Sequence, residues 1–281
     1  MPVNTTDTYW AADGESLHTF AHSIESLGGL MKGVGLRGDD TLIPFKPGEV
    51  WEPKVPGPQV LNLGMWVRGV DWDHGSGAYV VTKPLFQANW NRLVRLLWTP
   101  DRQINLQKRF YDYLGTTPTL YTATAKAQFN GGLEPQMMGR TAGRCVVDLK
   151  LTDPYFYDDV LGSATLVTGN NTVVVPGNAK TLNIQVTITG ARNNTTIRNN
   201  TTGVQFTYPA NLLTGASATV NAFTFGATET PSGGAAFDSS AKVVHTGAPQ
   251  WLNLQPGSNI INVASTSGIG VITMQYRGAW I

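Results

Sequence analysis

The chain has 281 residues, with 20 Lys and Arg against 19 Asp and Glu, a net charge of +1 and only 14% charged residues, where an average domain has about 25%. That balance excludes recognition of nucleic acid or of an anionic membrane through a general electrostatic field. The length exceeds one small domain and suggests two, and 31 Gly with 16 Pro in a chain that is 41% hydrophobic indicate short strands separated by many turns.

Met1 to Asp7 shows no basic stretch followed by an apolar one, and no apolar run approaches the roughly 18 residues of a spanning helix. Folding in a reducing cytoplasm is therefore expected. The next segment, Glu15 to Leu27, places Leu17, Phe20, Ile24 and Leu27 on a helical stripe with Gly28 as its stop, so a helix is expected there, although Thr19, Ser23 and Ser26 weaken it. Gly33 to Gly38 spells G-x-G-x-x-G, but Asp39 to Pro44 continues as turn and strand where a nucleotide site needs a helix, so a glycine-rich loop is expected. Arg37-Gly38-Asp39 is a coincidental tripeptide.

Val60 to Val70 reads as a strand. Asp71-Trp72-Asp73-His74-Gly75 begins like a calcium loop, yet its twelfth position is Thr82 where an EF-hand needs Glu, so a hairpin turn through Asp73 to Gly77 is the better reading. Asn91 to Trp98 puts Leu93, Leu96 and Leu97 on one stripe before Pro100, which predicts a short helix. Gly143 to Thr152 predicts a strand with Cys145, Val147, Leu149 and Leu151 facing inward, which makes the lone cysteine a buried thiol.

Charge locates a boundary, since residues 1 to 164 hold 32 of the 39 Asp, Glu, Lys and Arg and the rest hold 7. Beyond it, 19 Thr and 13 Asn supply the polar surface, the first favouring strands and the second turns. Leu182, Ile184, Val186 and Ile188 alternate with polar residues, as do Val204, Phe206 and Tyr208, and Ile272, Met274, Tyr276 and Trp280 fall on one face. Turn signals at Pro176-Gly177-Asn178, Pro231 to Gly234 and Pro256 to Asn259 separate these runs, so an antiparallel sandwich or jelly roll follows. The chain is thus mainly β with a small α component, with domains at 1–160 and 161–281.

Candidate chemistry is sparse. His18 and His22 have metal-ligand spacing on a helix but no third ligand, and Asp148, Asp153, Asp158 and Asp159 read as solvated carboxylates. There is no G-x-S-x-G elbow and no P-loop. No cofactor, no metal and no enzymatic activity are expected. Six of the eight Trp lie within the first 98 residues, and Trp is enriched in interface hot spots, which hints that the first domain assembles.

Trp251-Leu252-Asn253-Leu254-Gln255-Pro256-Gly257-Ser258-Asn259 followed by Tyr276-Arg277-Gly278-Ala279-Trp280 resembles the ending of distal tail proteins of phages with long non-contractile tails. Pro176 to Asn178, Ile184 to Gly190 and Asn199 to Gly203 are similar to the opening strands of that family's galectin-like domain. Asp13 to Thr19, Leu36 to Pro44 and Arg144 to Tyr157 are looser matches in the same order. The resemblance implies a structural virion protein: an N-terminal β-sandwich-like belt domain with a short helix that makes a hexameric ring, and a C-terminal galectin-like jelly roll. It implies as partners other copies of itself, a tail tube protein, a tail-tip hub protein and receptor-binding proteins, at the distal tail tip of a virion assembled in the host bacterial cytoplasm. Trp51, Trp66 and Trp72 are then candidates for the ring interface, and Trp251, Tyr276 and Trp280 for the core of the second domain. The rival is a carbohydrate-binding module, because Trp251, Trp280 and Tyr208 among many Asn side chains could stack on and hydrogen-bond sugars.

Overall fold

The computed structural model describes residues 9–28, 36–37, 41–42, 49–50, 55–73, 77–112, 118–245, 251–268 and 270–281. These fall into two compact units, one of residues up to Phe156 together with Ile281, the other from Tyr157 to Trp280. The Gly33–Gly38 string lies mostly outside the described residues; within it only Leu36–Arg37 is placed, as a short strand.

The first unit is built on one antiparallel sheet, through which seven strands run in the order Glu15–Ser16, Tyr9–Ala12, Ile104–Asp112, Thr119–Gly132, Ala142–Leu151, Gln59–Arg68 and His22–Gly28. Period-2 patterning decides which face is buried. Leu61 sits opposite Leu149, Leu63 opposite Val147 and Met65 opposite Cys145, and all six are buried. Asp148, one residue out of phase, turns away from that core and accepts a hydrogen bond from Asn62 Nδ2 at 2.5 Å.

One α-helix, Lys83–Leu97, is present among the described residues. Thr82 Oγ1 accepts from the amide of Leu85 at 3.3 Å and Pro84 lies in the first turn, where its missing N–H has no intrahelical partner to lose. Phe86, Leu93, Leu96 and Leu97 form the buried stripe against the Gln59–Arg68 strand. The chain enters this helix through a close approach: a Cβ on Gly69 would lie 2.2 Å from the carbonyl of Thr82. The helix is thus longer than the apolar stripe of 91–98 suggests, because its first turn is specified by the cap and the proline.

The helix expected over Glu15–Leu27 does not form. Glu15–Ser16 and His22–Gly28 are strands, joined by a turn in which Thr19 Oγ1 accepts from the amides of Ala21 and His22 at 3.2 and 3.1 Å. Thr and Ser offer the backbone local alternatives to helical hydrogen bonds, and His22–Gly28 pairs with Gln59–Arg68. Tertiary pairing overrides the apolar spacing.

The second unit packs two antiparallel sheets on a shared core. One has the order Gly162–Leu166, Ile272–Tyr276, Ile184–Thr189, Ser217–Asn221, Gly226–Thr230, Phe237–Asp238; the other runs Gly169–Val175, Gly257–Ala264, Arg192–Asn199, Gln205–Leu212, Val244–His245. Val186, Ile188, Val220 and Met274 from the first meet Val173, Ile197, Phe206, Tyr208 and Val263 from the second in one buried cluster. This is the face-to-face arrangement of a β-sandwich.

Not all of the Asn and Thr residues lie at the surface. Asn199, Asn253, Asn259 and Thr181 are fully or almost fully buried. Asn199 Nδ2 donates to the carbonyl of Asn253 at 2.8 Å and to Asn259 Oδ1 at 3.1 Å. Asn259 also accepts from the amide of Gln255 at 2.9 Å and donates to its carbonyl at 2.8 Å. The Trp251-to-Asn259 sequence is therefore a turn whose backbone is tied down from inside by a buried amide, which satisfies groups that water cannot reach.

Candidate functional site

The three tryptophans expected at an interface are not brought into one described patch. Trp51 lies outside the described residues, and Trp72 is placed only by its backbone on the strand Val70–Asp73. Trp66 is half-buried on Gln59–Arg68, with the Arg68 guanidinium 6.0 Å from its ring centroid. It stands opposite Arg144 and Ser23 in the sheet, and Arg144 pairs with Glu25 at 2.7 Å.

The hairpin that carries Trp72 presents part of the unit's exposed apolar surface. Val70–Asp73 pairs with Ala78–Val81, Asp73 facing Ala78, and neither strand joins a third among the described residues. Tyr79, Val80 and Val81 are 43%, 38% and 58% exposed, and because successive side chains alternate, apolar groups project from both faces of the ribbon. The Tyr79 ring lies 4.9 Å from that of Phe20. Beside them runs an open groove of about 390 Å³ lined by Phe20, Arg68, Val70, Tyr79, Val81 and Thr141. Residues 74–76, the tip of this hairpin, lie outside the described residues, and Thr82, the twelfth position of the calcium-like string, serves as the helix cap. The readable signal was the run Tyr79-Val80-Val81, which is apolar at both parities.

His18 and His22 do not share a helix face. Thr19 Oγ1 lies 2.6 Å from His22 Nδ1, and among the described residues no group of three His, Cys, Asp or Glu is arranged to hold a metal. His22 is 2% exposed, and burial, helped by the nearby Arg92, pushes its imidazole down to about 4. Folded His22 thus resists a proton that the unfolded chain accepts near 6.5, so stability should fall as pH drops from about 6.5 to about 4, by roughly 3 kcal/mol at the bottom of that window. Denaturant melts across that range check it, and His22→Gln should flatten this component. Burial likewise pushes the Cys145 thiol up to about 11, so it is a poor nucleophile near neutrality.

In the second unit Tyr276 belongs to the core cluster and Trp251 packs against it. Trp280 is 4% exposed but lies outside that cluster. The strand carrying Ile272, Met274 and Tyr276 ends at Tyr276, and Trp280 belongs to a separate short strand, Ala279–Trp280, so the expected single face of four residues is broken at Arg277-Gly278. Arg277 Nη1 donates to the carbonyls of Asp158 and Asp159 at 2.6 Å each. Asp158 is itself buried and accepts from the amide of Val160 at 3.0 Å, a turn-forming carboxylate and not a solvated one.

No protein-family model and no curated protein sequence matches the chain. Among solved structures, the Dit protein of phage SPP1, described as a paradigm of the hub adsorption apparatus in phages that infect Gram-positive bacteria, is similar over 96% of this chain and 99% of its own, with a TM-score of 0.62 at 13% identity. The chain has the Dit fold. Chains of the phage p2 baseplate in its activated conformation, with strontium and with calcium, match over 96% of this chain and 98% of theirs, at 8% and 7% identity and a TM-score of 0.44 in each case. With 96% of the chain covered, the Dit likeness takes in residues of both units.

Proposed function

We propose that this chain is a structural protein of a phage tail tip whose first unit closes into a ring of six copies, joining the tail tube to the tip hub and, through it, to receptor-binding proteins. It acts without catalysis, at the distal end of the virion, after assembly in the host bacterial cytoplasm. The Dit fold over nearly the whole chain supports the place in the virion. The observation that carries self-association is the pair of strands Val70–Asp73 and Ala78–Val81, with apolar side chains of the second on both faces and no third strand among the described residues. Two-stranded ribbons are marginal in water, and exposed apolar patches of this kind mark contacts between chains. Cyclic closure satisfies every such contact without leaving open ends.

Val81→Asp tests the reading, because a residue 58% exposed can be charged with little effect on the fold of the chain. Light scattering on the wild type should give a particle about six times the chain mass, and the variant should run as a single chain with an unchanged melting temperature. Tail tips imaged by electron microscopy without a ring of this protein would sink the proposal.

A further inference from the structure

The outward face of the second unit's Ile184–Thr189 sheet holds a groove of about 420 Å³, within the range of small-ligand sites. Gln185, Thr219, Asn221, Thr228 and Asp238 line it, together with Thr224 from the hairpin loop that follows Asn221. They come from four adjacent strands in fixed register, with Gln185 opposite Asn221, Thr219 opposite Thr228, and Thr228 opposite Asp238.

These groups are held in place but not used up. Asn221 Oδ1 accepts from the amides of Phe223 and Thr224 at 2.9 and 3.1 Å, which fixes the loop and leaves its Nδ2 hydrogens to the groove. Asp238 Oδ1 accepts from the Ser240 hydroxyl and amide at 2.6 and 2.9 Å, leaving Oδ2. The Gln185 amide and the Thr228 hydroxyl form no hydrogen bond among the described residues. The loop 222–225 adds an unusual feature. Phe225 has φ +58°, a left-handed conformation that favours Gly or Asn and is an outlier for a bulky side chain, and the rings of Phe223 and Phe225, on either side of the groove-lining Thr224, lie 5.6 and 5.8 Å from those of Tyr157 and Trp251.

We infer that this groove is a binding site for a neutral saccharide. Hydroxyl and amide side chains and the Asp238 carboxylate line it together with Ala227, Ala236 and Phe237, and the Lys242 ammonium 5.1 Å from the Phe237 ring is already paired with Glu229, a set that exchanges hydrogen bonds with a polyol and offers little to an anionic polymer or a charged peptide. Phe237, 42% exposed, is the aromatic residue of the lining and supplies apolar surface of the kind that packs on the C–H face of a pyranose. The site is separate from the hairpin proposed for ring closure, so the two stand or fall independently.

The test uses the full chain and a panel of neutral oligosaccharides built from glucose, galactose, rhamnose and N-acetylglucosamine, read by calorimetry or an array. At least one should bind, and Gln185→Ala and Thr228→Ala should each weaken it about tenfold, equivalent to one lost hydrogen bond of about 1.4 kcal/mol, with melting temperature and particle mass unchanged. No binding across the panel, or binding indifferent to both substitutions, overturns the inference. Binding confined to anionic polymers and lost at high salt also overturns it, as does capture of another tail protein that Gln185→Ala abolishes while no sugar binds.

Discussion

Replacing Lys108 with methionine should stabilise the folded chain by about 3 kcal/mol at pH 7. Lys108 is 8% exposed on the strand Ile104–Asp112, with its ammonium 4.4 Å from the Phe156 ring centroid and 5.0 Å from that of Phe110. It forms no ion pair among the described residues. Two aromatic faces attract the cation, but loss of water outweighs them, and burial pushes the ammonium down from 10.5 to about 8. Below about 8 both folded and unfolded chains carry the proton and the folded chain bears the full penalty. Between about 8 and 10.5 only the unfolded chain keeps it, so stability should rise with pH through that window and level off above it. Urea melts from pH 7 to 11 measure the rise in the wild type, and Lys108→Met should remove this component. A wild-type stability flat across the window, or a destabilised methionine variant, would show that the amine has a partner in the assembled particle.

That charge was not legible in the sequence, and the reason is general to this chain. The strands Ala142–Leu151 and Ile184–Thr189 could be read because each has one buried and one solvated face, and the period of two writes that difference into the residue order. Lys108 breaks the rule locally: it sits at an inward position between Leu106 and Phe110, where a period-2 reading expects an apolar side chain. Asn199 and Asn259 fail for a related reason. Asn is a turn residue by local propensity, and nothing in a linear pattern says that a turn will be tied from its interior. Glu15 to Leu27 reads as a helix because Leu17, Phe20, Ile24 and Leu27 match a helical template, whereas in the fold Leu17 is buried and Phe20 is 40% exposed.

The candidate surfaces were less legible still. Tryptophan frequency points to the first unit, and Trp72 stands opposite Tyr79 in the exposed hairpin, but the exposure of Tyr79 and Val81 is not written in the sequence, since it depends on the absence of a third strand among the described residues. The groove beside Thr224 collects residues from positions 185 to 240. Only the strand register brings them together.

Tyr208 separates the aromatic residues that hold the second unit together from those that face outward. A sugar-stacking role was open to it in the sequence, but its ring is 1% exposed within the core cluster. Its hydroxyl donates to Glu229 Oε2 at 2.5 Å, and the same oxygen accepts from Lys242 Nζ at 2.7 Å. Burial pushes the phenol up to about 12, so it remains a donor at any ordinary pH. Tyr208→Ala should therefore destabilise the chain by about 3–5 kcal/mol, through lost transfer energy and the cavity left behind. Tyr208→Phe isolates the hydroxyl and should cost about 1.5 kcal/mol, the low end for a hydrogen bond to a charged group, because Lys242 still neutralises Glu229. Phe225→Gly supplies the contrast: the ring is 56% exposed and the backbone conformation suits glycine, so stability should stay within about 1 kcal/mol of wild type as relief of strain offsets the lost contact with Trp251. Equilibrium denaturation of the three variants measures these differences. A Tyr208→Ala chain as stable as the wild type would mean that the two sheets do not close on this ring.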